Sequence, residues 1–152
     1  MASVNSSLVT DAVVALLRSE LSPMKVGDGI APSPDSGDRT LDVKSGYVVV
    51  HRIPAGAAYE GSELGGQPES IERIRYQISA AGIQRNQAER ISEAAIGILV
   101  DRDDVSRSRQ YVHDLTVAGH AVLSRRKFGT IPTESLGTIQ AGGYVEILVS
   151  VA

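Results

Sequence analysis

The sequence predicts an α+β fold, a mainly antiparallel sheet flanked by two helices and joined by long loops, in one domain over residues 1–152. Three observations carry this expectation. In residues 71–81, Ile74, Tyr76, Ile78 and Ala80 alternate with Arg73, Arg75, Gln77 and Ser79, the period of a strand with one buried face. After Gly82, residues 83–100 change to helical spacing. Ala88, Ile91, Ala95, Ile98 and Leu99 form one stripe, with Asn86, Glu89, Arg90 and Glu93 opposite. Apolar runs at 46–53 and 144–151 add further strands, so helices and strands mix without a regular βαβ alternation.

In chain order, Ser6 or Ser7 can cap a first helix that runs to about Glu20 on an apolar face of Leu8, Val9, Ala12, Val13 and Leu16, with Pro23 closing it. Residues 26–38 are rich in Gly, Pro and Asp and read as a long loop. The near-continuous apolar run 46–53 reads as a first strand, central and covered on both faces. Residues 54–68 form a second long loop, leading to strand 71–81, which should pair antiparallel with the first. Gly97 interrupts the outward face of the following helix. It is either incidental or a place where a neighbouring chain approaches closely. The helix should end near Asp101, before a polar linker at 102–109. Residues 117–128 read as a strand with Gly119 as a bulge, 131–140 as turn-rich, and Gly142-Gly143 as the lead into a last strand at 144–151.

Composition narrows the function classes. The chain has 152 residues, 42% hydrophobic and 22% charged, enough to build a core. With five Tyr, one Phe and no Trp, that core must come from Val, Ile, Leu and Ala. Cysteine is absent, which excludes disulfides, thiolate metal sites and cysteine nucleophiles and suits a reducing cytoplasm. A net charge of −3 argues against a general nucleic-acid binder. No run approaches the roughly 20 apolar residues of a membrane span. The apolar stretch 9–17 does not read as a signal peptide, because Asp11 breaks it and no Lys or Arg precedes it.

No motif announces catalysis. His51, His113 and His120 lie in different elements without H-x-x-x-H or H-E-x-x-H spacing, and His51 reads as a strand residue bonded to a neighbour. Asp101, Asp103 and Asp104 resemble the opening of a calcium loop but lack its Gly and closing Glu, so they read as a solvated helix end. Gly27-Asp28-Gly29 lacks the other parts of a phosphate loop, and no G-x-S-x-G elbow occurs. Arg125-Arg126-Lys127 reads as a solvated strand end, with a nucleic-acid contact as the alternative. No catalytic residue, metal or cofactor is expected. The rival from another class is a small cytoplasmic enzyme using His51 or His120, which would require those side chains to converge in a pocket with a carboxylate.

Four segments carry a resemblance: Val26 to Pro32; Tyr47 to Val50 with the Gly-rich stretch 55–66; Arg75 to Gly82 followed by Gln87-Ala88-Glu89; and Tyr144 to Val151. In order and spacing they resemble the tail terminator proteins of long-tailed bacteriophages, particularly those infecting actinobacteria. Residues 114–140 depart from the family pattern. The resemblance implies a structural virion protein at the head–tail junction, assembled in the host cytoplasm. Six copies would form a ring that caps the tail tube, ends its polymerisation and offers a surface to a neck or head-completion protein. Long loops would engage adjacent rings. The alternative of the same class is another neck or tail component, a head-closure protein or the tube subunit itself.

A ring uses a heterologous interface, one patch meeting a different patch on the next copy. Arg73 and Arg75 share one strand face, which is either a solvated face or a rim that pairs with acidic groups of a neighbouring subunit. The candidate subunit interface is Arg73, Arg75, Gln77, Glu89 and Glu93. Six copies at −3 each give a ring of −18, which would let genomic DNA pass the lumen without specific binding.

Overall fold

The computed structural model describes residues 3–30, 46–53, 71–103, 110–136 and 138–152. It shows an α+β fold with two helices and one five-stranded sheet. The elements run α1 (Ser6–Leu21), β1 (Lys25–Asp28), β2 (Tyr47–Ile53), β3 (Ile71–Gly82), α2 (Arg85–Val100), β4 (His120–Leu136) and β5 (Thr138–Val151). The strand order is β1-β2-β3-β5-β4. The β2–β3, β3–β5 and β4–β5 pairings are antiparallel, and β1 pairs with β2 in parallel.

Both helices lie on one face of the sheet and build the core with it. Val9, Val13, Val14 and Leu17 of α1 join Ala95, Ile96 and Leu99 of α2 over Val48 and Val50 of β2, Ile74, Tyr76 and Ile78 of β3, and Val145, Ile147 and Val149 of β5. The alternation expected in β3 is the one observed: Ile74, Tyr76, Ile78 and Ala80 are buried. Among the described residues, Tyr76 is the largest fully buried side chain. Its hydroxyl lies 2.9 Å from Thr10 Oγ1, which in turn donates to Ser6 O. Burial pushes the Tyr76 phenol up to about 12, against the opposing hydrogen bond with Thr10.

Several local expectations are corrected. Asn5, not Ser6 or Ser7, caps α1: its side-chain oxygen accepts from the Ser7 and Leu8 N–H groups at 3.1 and 3.3 Å. Part of the expected loop at 26–38 is strand β1, four residues in which Val26 and Gly27 are buried beside β2. The run 46–53 is therefore the second strand, an interior one. Its helix-facing side is covered, and on its other side Val49 is buried too, although no described element lies over it. The loops expected over most of 26–38 and over 54–68 fall on residues 31–45 and 54–70, outside the described residues.

Helix α2 begins at Arg85 rather than at Ile83, and Gln87 Oε1 reaches back to accept from the Ile83 N–H at 3.0 Å. Its buried stripe uses Ile96 and Ser92, with Ile98 only half-buried. At Gly97, a Cβ would come within 2.7 Å of Asp101 Oδ2, so the space beside it is filled by the chain's own carboxylate.

The C-terminal third differs most. Residues 131–140 are not turn-rich. They belong to a long hairpin in which β4 runs to Leu136 and β5 starts at Thr138. Three register shifts, at Val122/Ser124, Lys127/Gly129 and Ile131/Glu134, let β4 follow the twist of β5. Pro132 sits in the third irregularity of an edge strand, where a missing N–H costs no ladder bond. Gly119 is not a bulge. It takes a left-handed φ of +72° in the turn before β4. Gly142 and Gly143 lie inside β5, and α2 packs closely over Gly143, a Cβ there falling 2.7 Å from Ile96 Cδ1.

Candidate functional site

No described element covers the face of the sheet opposite the helices. Alternation along β3 puts Arg73, Arg75, Gln77 and Ser79 on it, because the intervening residues point into the core. Register then fixes their neighbours. Gln77 lies between His51 of β2 and Tyr144 of β5, and Arg75 lies beside Glu146, which is also paired with Arg126 of β4. Arg73, the outermost of the three interface candidates on β3, is paired with Leu148.

An ion network occupies the middle of this face. Glu146 Oε2 accepts from Arg75 Nε at 3.0 Å, and Oε1 accepts from Arg126 Nε at 3.0 Å, so each carboxylate oxygen has its own guanidinium. The Glu146 side chain is only 6% exposed. Burial acts to raise its carboxyl, but the hydrogen bonds and charges of Arg126 and Arg75 outweigh burial and hold it below the usual carboxylate range. Beside the network, the rings of Phe128 and Tyr144 stack with centroids 5.4 Å apart, and the Arg75 guanidinium lies 5.3 Å over Phe128. Phe128 is 39% exposed. A shallow hollow of about 170 Å³ opens further along, lined by Tyr47, Val49, His51, Gln77, Ser79 and Gln140.

The five interface candidates do not form one patch. Arg73, Arg75 and Gln77 occupy the open sheet face, while Glu89 and Glu93 belong to α2, on the opposite layer. Several of them are engaged within the chain. Arg75 binds Glu146, and Glu89 Oε1 accepts from Thr133 Oγ1 at 3.0 Å with Arg85 Nη1 at 3.9 Å. Gln77 Nε2 donates to Ser79 Oγ at 3.2 Å, and Glu93 is exposed.

The basic run is not a solvated strand end. Strand alternation separates its members: Arg126 joins Glu146 on the open face and Lys127 is exposed, while Arg125 is only 5% exposed and packs on the Tyr111 ring. The histidines also separate. His51 lies on β2, with β3 and β5 between it and the β4 residue His120. His120 Nε2 accepts from the Asn5 N–H at 2.9 Å and its Nδ1 lies 2.7 Å from Ala118 O, which makes Nδ1 the protonated nitrogen. His113 Nδ1 lies 3.5 Å from Glu20. The convergence of His51 and His120 required by the enzyme reading is therefore not formed.

Among the described residues, no group of three or more His, Asp or Glu side chains is placed to hold a metal ion. No described helix is long and apolar enough to cross a membrane. The sequence did not reveal Glu146, Tyr144 and Phe128, because the pairing of β5 with β3 and β4 brings them to their partners, or Tyr111, which reaches its partners through an isolated bridge to Arg102 and the docking of its hydroxyl on Arg125. The only available signal was a lone Glu in an otherwise apolar run, Val145-Glu146-Ile147-Leu148-Val149. No protein-family model matches the chain, and no curated protein matches it.

Proposed function

We propose that this protein is a structural virion component, a tail terminator that works by assembling with copies of itself. Six copies close into a ring on the finished tail tube, stop tube growth and dock a head-completion or neck protein, while the genome passes the lumen without specific binding. The protein acts through shape and contact and carries out no covalent chemistry. The resemblance in four ordered segments supports this reading.

One structural observation carries it further: among the described residues, the two layers of the subunit present unlike surfaces. The open sheet face presents arginines and a stacked aromatic pair, and the outer face of α2 presents Glu89 and Glu93. A heterologous contact needs such a pair of unlike patches, and opposite charge on them would set orientation. Electron cryomicroscopy of the virion neck tests the reading. The expected result is this chain in a six-fold ring between tube and neck. Its absence from the head–tail junction would sink the idea.

The second reading keeps the same class, a head-closure protein or tube subunit. Long antiparallel strands with an open face suit stacked tube rings as well as a single cap. Copy number per virion separates them, about six for a terminator against many stacked rings for a tube subunit.

A further inference from the structure

Beside the edge strand β4, away from the Glu146 network, the chain that leads into the strand builds a second polar site. Arg102 and Tyr111 form an isolated antiparallel bridge, and the Tyr111 hydroxyl fixes β4 by accepting from the Arg125 N–H at 2.7 Å and donating to Arg125 O at 3.1 Å. Arg102 Nη2 donates to the same hydroxyl at 2.9 Å. Both guanidinium groups lie against the one phenol ring, with Cζ atoms 4.4 Å (Arg102) and 3.9 Å (Arg125) from its centroid.

Arg125 is 5% exposed, and its Nη2 donates to His113 O at 2.6 Å. Its Nε and Nη1 are buried and meet no acceptor among the described residues. A charged group taken from water with two nitrogens lacking acceptors is unfavourable, and native structures rarely keep such groups without a partner. Arg125 also lines a cavity of about 470 Å³ with Arg102, Gln110, Asp114 and Thr116. Among the described residues that line it are two guanidinium groups, of Arg102 and Arg125, and one carboxylate, of Asp114. A water molecule could offer an acceptor but no countercharge. An oxyanion offers both, and guanidinium groups bind carboxylate and phosphate oxygens strongly.

We propose that the cleft formed by Arg102, Tyr111 and Arg125 is a binding site for a small organic oxyanion, a carboxylate or a phosphate ester. Arg125 is its buried anchor, held by Tyr111 and the His113 carbonyl. Arg102 is exposed and stands at the mouth, and Thr116 and Gln110 supply neutral hydrogen-bonding groups. The cavity lies in the size range of small-molecule pockets, which favours an anion carried on a larger body over a bare ion. The site shares no residue with the proposed ring contact, so either idea can fail while the other stands.

The test uses the full chain labelled with ¹⁵N and titrated with citrate or inorganic phosphate, against chloride at equal ionic strength. At least one oxyanion should move the Arg125 Nε–Hε resonance and raise the melting temperature above the chloride control. Whichever of citrate and phosphate acts more strongly identifies the carboxylate or the phosphate as the preferred group. Arg102→Ala should weaken binding about tenfold through loss of a charge-assisted bond. Arg125→Met should abolish it, and Arg90→Ala on the exposed side of α2 should leave it unchanged. If Arg125→Met does not fold, Arg102→Ala and Thr116→Val carry the test. The proposal fails if neither anion moves the resonance, or if both protect wild type and Arg102→Ala equally, since the cleft would then be a water-filled cavity.

Discussion

Glu146 lies in the middle of an interior strand with 5% of its surface exposed, and it stays charged because two arginines reach it at 3.0 Å from either side. Replacing it with Gln keeps the shape and removes the charge, leaving Arg75 and Arg126 with one neutral acceptor between them. Their side chains are 34% and 61% exposed, so water screens part of the loss. The expected cost of Glu146→Gln is about 1–3 kcal/mol, read from urea denaturation. The sign with pH follows from the lowered carboxyl. Its contribution is complete above the ordinary carboxylate value and is lost as pH falls through the lower folded-state value. Wild type should therefore lose more stability than Glu146→Gln on acidification below about 4.5, and parallel curves would remove the network as a cause. Tyr76 gives the opposite case. Its phenol is raised to about 12, so the unfolded chain ionises first and stability falls as pH rises from about 10 towards 12. Tyr76→Phe should abolish that alkaline loss, and at neutral pH it should cost about 0.5–1.5 kcal/mol through the Thr10 bond.

At the scale of elements, the closeness of α2 to the sheet depends on the absence of a side chain at position 143. A Cβ there would lie 2.7 Å from Ile96 Cδ1 and 2.9 Å from the Gly129 carbonyl. Gly143→Ala should destabilise by about 1–3 kcal/mol through overpacking. Ile96→Val removes the Cδ1 half of the clash, so the double variant should be more stable than the sum of the two single losses, as a double-mutant cycle in denaturant would show. Strict additivity would mean that the backbone contact alone sets the cost. The same pair of elements shows what the sequence could and could not reveal. β3 and α2 were legible because each buries one face and carries an unbroken period, 2 in Ile74–Tyr76–Ile78–Ala80 and about 3.6 through Ala88, Ile91 and Ala95. β1 was not, because four residues around Gly27 carry no period and are held by pairing with β2. The distal half of the hairpin was not, because Gly129, Pro132 and Gly142 look like turn residues to local rules. Tertiary pairing with the long β3–β5 ladder and contact with Glu89 through Thr133 override them. Of the candidate site, the arginine face of β3 followed from alternation. Its partner Glu146 lies 71 residues away, a separation that no local pattern encodes.

For the whole molecule, the division of candidate residues between two layers determines which experiment can isolate assembly from folding. Reversing both Arg73 and Arg75 cannot, since an acidic residue at 75 would sit against the buried Glu146 and destabilise the subunit itself. Glu93 is exposed on α2, on the far side of the sheet from that network, so Glu93→Lys should change subunit stability by no more than about 0.5 kcal/mol. Phe128 is the exposed ring of the open face, and Phe128→Ser removes its apolar surface while leaving the Arg75–Glu146 and Arg126–Glu146 bonds in place. If unlike faces meet in a ring, each single change should weaken assembly. Mixing the two variants should restore at most the one contact per pair that joins the intact faces, too few to close a six-membered ring. Sedimentation is the direct readout. Wild type at high concentration, or on tube ends, should populate a species of six times 16.1 kDa, about 97 kDa, and both variants should shift towards the 16.1 kDa subunit. Combining Glu93→Lys with Arg73→Glu in one chain swaps the charge at one position of each face and should recover part of the lost association where those two positions meet, because a local charge swap preserves their complementarity. Ring formation indifferent to both single variants would move the contact off these faces, and a wild-type chain that stays at subunit mass even in the presence of tail tubes would end the ring reading altogether.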